Sequence, residues 1–144
     1  MLPTRSVARV VVIDASGAVL LCRYSEAGRA YWVPPGGALE HGEDHRAAAL
    51  RELREETGLA AGLDIELWER RFVLQQKDGW VDQVERYFLA RLSSEQPAVR
   101  SSSTEGIEEL RWWTLPQLQS TADRIYPDGL VEQLPTLLSG SIPQ

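Results

Sequence analysis

Residues 1–14 alternate apolar and polar positions around Arg5 and Arg9, and this period of two predicts a strand over 7–13. Asp14-Ala15-Ser16-Gly17 has turn chemistry, and 19–23 predicts a second, short strand. Residues 24–30 are polar and small and read as a mobile loop before Tyr31-Trp32-Val33. The period then becomes helical from about Glu43 to Thr57, with Ala49, Leu50, Leu53 and Thr57 on the expected buried stripe. Glu43 and Asp44 fall in the first turn, where negative charge suits the helix dipole. Gly58 is a natural stop, with Leu59 folding back on the last turn. Two β-rich runs follow, 63–76 and 80–92, and Asp78-Gly79 between them signals a hairpin. Residues 93–104 are Ser-rich and contain Pro97, so they read as an irregular surface loop. A strand at 108–114, short helices near 116–120 and 128–138, and a fraying tail at 139–144 complete the chain. No internal repeat is visible. The pattern alone specifies an α+β or α/β chain.

Composition narrows this little. The 144 residues suit one compact domain, 1–144, and no apolar run approaches the length of a membrane span. The N-terminal residues read as a strand and not as a signal peptide. A single cysteine, Cys22, excludes an internal disulfide and gives no support to a cysteine-based metal site, so the expected compartment is the cytoplasm. A net charge of −6 argues against a generic nucleic-acid binder, which needs a basic face. An acidic enzyme still binds polyphosphates where metal ions supply the positive charge.

The predicted helix carries the chemistry. Glu52, Glu55 and Glu56 stand at i, i+3 and i+4 and so converge on one patch. Like charges at these spacings cost roughly 0.2–0.5 kcal/mol per pair. A hard divalent cation reverses that sign, because Mg²⁺ takes carboxylate oxygens together with waters and substrate phosphates. The plainer alternative is a solvated face on which Arg51 and Arg54 soften the repulsion. The flanks favour the metal: Pro34-Pro35-Gly36-Gly37 makes a loop that bends tightly and approaches a ligand closely. The core stripe points away from the three glutamates and leaves their face free.

Gly37, Glu43, Arg51, Glu52, Leu53, Glu55, Glu56, Gly58 and Leu59 fill every fixed position of G-x5-E-x7-R-E-U-x-E-E-x-G-U, with U aliphatic. The segment 37–59 therefore resembles the Nudix box of the Nudix hydrolase family. A chance match at a given start is on the order of 10⁻⁹ at average residue usage. Residues 32–37 and 109–118 are similar to the family's flanking strand-and-turn and its late strand-to-helix passage, so the likeness spans most of the chain.

The resemblance implies an α/β/α sandwich with a mixed sheet. It also implies a Mg²⁺- or Mn²⁺-dependent hydrolase that cleaves a diphosphate linkage in a nucleoside diphosphate linked to another group. Glu52, Glu55 and Glu56 are then the expected metal ligands, with a backbone carbonyl at Gly36 or Gly37 completing the shell. Glu52 is also the candidate general base, and Arg51 and Glu43 form a supporting ion pair. Glu105 is the preferred extra ligand outside the box, with Glu85, Glu108 and Glu109 competing. Arg23, Trp32 and Gly37 are candidate substrate contacts, Trp32 and Tyr31 as base platforms. His41 and His45 are expected to face solvent.

The substrate is not specified. No proline occurs over 36–96, as it would in many ADP-ribose hydrolases, and no coenzyme A or NADH motif is evident. A small domain leans towards nucleoside triphosphates or modified nucleotides, without stable nucleic-acid or membrane partners; a homodimer stays open. Two rival readings remain: a catalytically silent nucleotide-binding or sensor module, and an isoprenoid diphosphate isomerase, which would need a catalytic cysteine in the pocket, whereas Cys22 lies in an early apolar strand.

Overall fold

The computed structural model describes residues 1–102 and 106–140. Its strands are β1 (Thr4–Ile13), β2 (Val19–Glu26), β3 (Arg29–Val33), β4 (Gly36–Ala38), β5 (Glu66–Gln76), β6 (Gly79–Arg91), β7 (Glu109–Trp113) and β8 (Arg124–Ile125). The helices are α1 (His45–Thr57), α2 (Leu115–Ser120) and α3 (Leu130–Leu138). One mixed sheet runs β5-β6-β1-β2-β3-β8, with β4 paired to β1 and β7 to β2. β1 lies at its centre, parallel to β6 along its whole length and antiparallel to β4.

The alternation read in β1 becomes two cores, because successive strand side chains point to opposite faces. Ala8, Val10 and Val12 join Leu20 and Phe88 against Ala48, Ala49 and Leu53 of α1. Val11 and Ile13 join Leu21, Trp32 and Trp113 against Leu118 of α2 and Leu130, Leu134 and Leu137 of α3. Helices thus cover both faces of the mixed sheet, the expected α/β/α arrangement.

Several local expectations change. Residues 24–30 are no mobile loop: Tyr24 pairs with Tyr31, Ser25 with Ala30 and Glu26 with Arg29. Ala27 and Gly28, at φ +52° and +78°, connect the strands. Positive φ at both central residues matches the twist of a hairpin, and an alanine in that position hides the signal. The β5–β6 hairpin exists but closes one residue early, at Gln76 opposite Gly79, so Lys77-Asp78 forms the turn.

Gly36-Gly37 is not a turn but strand β4, and β8 had no readable signal in its two residues. Glu43 and Asp44 precede α1 instead of occupying its first turn: Asp44 is the N-cap and accepts the Ala47 N–H at 2.8 Å. Gly58 ends the helix at φ +77° and donates to the Arg54 carbonyl. Of the expected fraying tail, Ser139 and Gly140 donate to the carbonyls of Pro135 and Leu137, and 141–144 lie outside the described residues. No helix among the described residues is long and apolar enough to cross a membrane.

Candidate active site

Two glycines bring β4 and α1 together. A Cβ at Gly36 would fall 2.2 Å from the Ala8 carbonyl oxygen, and one at Gly37 would fall 2.7 Å from the Glu52 carboxyl carbon. Neither has a positive φ; both are needed because the backbone approaches so closely. The Gly36 N–H points at α1 and donates to Glu56 Oε2 at 2.6 Å.

This contact overturns the expected orientation of the helix. Glu52 is 5% and Glu56 1% exposed, whereas Leu50, assigned to the core stripe, is 42% exposed. The buried stripe is Ala48, Ala49, Glu52, Leu53, Glu56 and Thr57. Burying a carboxylate is costly unless it is paired and hydrogen-bonded, and here strand N–H and guanidinium groups meet that condition. Glu55 is left at the rim, its side chain half exposed.

Arg51 organises the acidic groups. Its Nε and Nη2 donate to the two oxygens of Glu43 at 2.7 and 2.9 Å, a bidentate fork. Nη1 donates to Glu52 at 2.7 Å and to Glu55 at 3.2 Å. Nη2 also reaches the Ala38 carbonyl at 3.0 Å, and Glu40 lies 3.1 Å from Nε. The hydrogen bonds from Arg51 hold the Glu43 carboxyl below the usual carboxylate range, and Glu43 raises Arg51 in return. On the far side, the Tyr24 hydroxyl donates to Glu56 at 3.4 Å. Burial, followed by the Glu56 charge, pushes the Tyr24 hydroxyl well above its normal range, so it stays a neutral donor.

Beside the carboxylates lies a cavity of about 390 Å³, lined by Arg9, Tyr31, Arg70, Glu85, Tyr87 and Tyr126 among others. Tyr24 stacks on Tyr31, and Tyr31 meets Tyr126 edge-on, so a row of rings leads from Glu56 to the cavity. The site thus joins clamped carboxylates to a ring-lined pocket.

A model of the NUDIX domain matches residues 3–134. The chain belongs to the Nudix hydrolase family. An RNA pyrophosphohydrolase from Teredinibacter turnerae is 30% identical over 151 aligned positions, covering 91% of this chain and 87% of that protein. Another, from Dinoroseobacter shibae, is 39% identical over 80 residues, covering 56% of this chain but only 46% of that protein's own length. The structure of a Caenorhabditis elegans Ap4A hydrolase binary complex shares the fold, with a TM-score of 0.68 and 22% identity over 94% of this chain and 98% of that one.

Within this Nudix fold, Glu43, Arg51, Glu52, Glu55, Gly36, Gly37 and Glu56 come together at the β4–α1 junction. As they stand, no group of three acidic, histidine or cysteine side chains among the described residues is gathered tightly enough for a metal ion. Glu52 and Glu55 share Arg51, while Glu56 turns to Gly36.

The other candidates lie elsewhere. Trp32 is 1% exposed, packs edge-on against Trp113 at 5.0 Å and donates to Asp123, so it is a core residue without a free face for a base. Arg23 lies on the face of β2 opposite Tyr24 and pairs with Glu108 at 3.9 Å. Glu85 is buried in a network of its own, and Glu109 pairs with Arg111 at 3.0 Å. Glu105 lies outside the described residues.

His45 does not face solvent fully: its Nδ1 is 3.2 Å from Arg86 and its Nε2 is buried without a partner among the described residues. Cys22 is fully buried, and burial together with Glu56 pushes its thiol far up, away from a reactive thiolate. Arg9, Tyr24 and Tyr126 were missed as site residues. For Arg9 the signal was present, since this arginine interrupts the apolar run over 7–13 of the central strand.

Proposed function

We propose that this chain hydrolyses a diphosphate linkage in a nucleotide-type substrate, using Mg²⁺ or Mn²⁺ held by Glu52, Glu55 and Glu56, with a backbone carbonyl of Gly36 as a further donor. Arg51 carries this reading: a single guanidinium serves Glu43, Glu52 and Glu55, beside a Glu56 buried on a strand N–H. A solvated, merely structural helix face has no need of two buried carboxylates with dedicated partners. The donor set also fits a hard divalent cation, which prefers carboxylate and carbonyl oxygens. When bound, the ion supplies charge neutralisation at the phosphates and a more acidic water.

Glu52 then accepts the proton as water attacks phosphorus. Arg51, locked by Glu43, orients Glu52 and Glu55 and limits their rotamers. Tyr24 and the Gly36 N–H hold Glu56. The P–O bond of the anhydride breaks, giving a phosphate monoester and either pyrophosphate or a second phosphorylated fragment.

The names of the RNA pyrophosphohydrolase relatives add the 5′-triphosphate end of RNA to the substrates worth testing. The net charge of −6 favours small nucleotides over long polyanions. The test is incubation with Mg²⁺ and a panel of nucleoside triphosphates, oxidised purine nucleotides, ADP-ribose, dinucleoside polyphosphates, coenzyme A and 5′-triphosphorylated RNA. The phosphorylated products are then measured. Turnover of at least one class is expected. Turnover of none, with metal binding intact, would favour the silent nucleotide-binding module.

A further inference from the structure

The floor of the cavity beside the carboxylates is a built polar network that hydrolysis does not use. Gln83 Nε2 donates to Glu85 Oε2 and the Tyr87 hydroxyl donates to Glu85 Oε1, both at 2.7 Å. Arg9 Nε stands 3.5 Å from Glu85 Oε2, and Arg5 secures Gln83 from outside at 2.7 Å. Both Glu85 oxygens are therefore engaged, and the pocket's buried carboxylate has little left to offer a ligand.

Arg9 differs. Among the described residues, Glu85 and the Pro34 carbonyl, at 3.1 Å from Nη1, account for two of its five N–H groups. Its side chain is 19% exposed and lines the cavity together with Arg70. A buried ion pair adds little stability over an apolar replacement. One that pins a guanidinium at a cavity floor instead pre-organises a donor.

The cavity lies next to the reacting end. A Cβ at Gly36 would fall 2.5 Å from Arg9 Cγ, and the Gly36 N–H holds Glu56, so this one residue separates the pocket floor from the carboxylates. Tyr31 and Tyr126 offer ring surface for a planar group, and the volume of about 390 Å³ is that of a small-molecule site.

Resting on the hydrolase reading above, we propose that this cavity is a nucleobase subsite in which Arg9 determines specificity, favouring purines with acceptors at O6 and N7, guanine and hypoxanthine, over adenine. A guanidinium fork pairs with that acceptor edge bidentately, whereas adenine presents an N6 amino donor to it.

The test compares kcat/KM for GTP, ITP and ATP in the presence of Mg²⁺, and calorimetric binding of GMP, IMP and AMP, which have no anhydride to cleave. GTP and ITP are expected to exceed ATP by about tenfold or more, with the same order among the monophosphates. In Arg9→Lys, which keeps the charge and loses the fork, the ratio is expected to collapse to within about threefold. If that variant misfolds, the wild-type inosine-to-adenosine ratio decides alone. Equal ratios for the three bases, or an unchanged preference in folded Arg9→Lys, would overturn the assignment. Absence of turnover with GMP and IMP still bound preferentially would count against the hydrolase reading and support the subsite.

Discussion

At Gly36 and Gly37 a single added methyl group separates stability from activity. A Cβ at Gly36 meets the Ala8 backbone at 2.2 Å, which cannot yield without parting β4 from β1. Gly36→Ala is therefore expected to lower stability by about 1–3 kcal/mol, the range for overpacking, measurable by urea unfolding. At Gly37 the obstacle is the Glu52 carboxylate, the end of a flexible side chain. Gly37→Ala should leave the unfolding midpoint nearer to wild type and cut turnover by displacing Glu52. An equal loss of stability in both variants, with turnover of Gly37→Ala intact, would contradict this account. Glu52→Gln removes the proposed proton acceptor with almost no change of shape, and turnover should fall at least about 10²-fold. A near-normal rate would remove Glu52 from that role.

At the scale of elements, α1 depends on a cap as much as on its apolar contacts. The Asp44 carboxylate accepts the Ala47 N–H at 2.8 Å, and its removal in Asp44→Ala should cost about 1 kcal/mol. Because the helix start also sets the position of Arg51 against Glu43, the Arg51–Glu43 fork should loosen with it. Thermal melts alongside metal titration check both effects. The helix and its acidic residues were readable in advance because three- and four-residue spacings fix which side chains share a face.

The direction of that face was not readable. An apolar code assigns Leu50 to the core and the glutamates to solvent; it cannot foresee that the Gly36 N–H and Arg51 make buried carboxylates affordable. β4 was hidden for a related reason, since two glycines carry no strand preference and form one here only because nothing projects from them. The cavity was illegible because Arg9, Glu85 and Tyr126 come from β1, β6 and the segment before α3, and only the β1–β6 register and the packing of the 122–127 segment bring them together.

Across the whole molecule, shifted titrating groups predict a plateau of stability bounded on both sides. Hydrogen bonds from Arg51 depress the Glu43 carboxyl, and those from Arg86 depress Glu66. Burial raises Asp14, but N–H donors from Gln96 and Ala18 and the Ser16 groups outweigh it and leave the carboxyl below its ordinary value. His45 is also depressed, by burial and then by Arg86, against opposing pulls from Glu66, Glu69 and Asp44.

In every one of these groups the unfolded chain binds protons more readily than the folded one, so stability falls as pH falls. The loss should begin gently as pH drops through the ordinary histidine range near 6.5, and steepen below about 4.5 as the carboxylates protonate. At the other end, burial raises the Tyr24 and Tyr87 hydroxyls above their ordinary value. Their contribution is present below about pH 10 and is lost as pH rises beyond it. Urea midpoints measured from pH 3.5 to 11 should therefore hold level between roughly 7 and 10 and fall on both sides. The shallow step near 6.5 should vanish in His45→Gln, which cannot take up a proton. A midpoint that rises as pH falls from 7.5 to 5.5 would mean that His45 gains an acidic partner on protonation, against the cationic surroundings that Arg86 gives it.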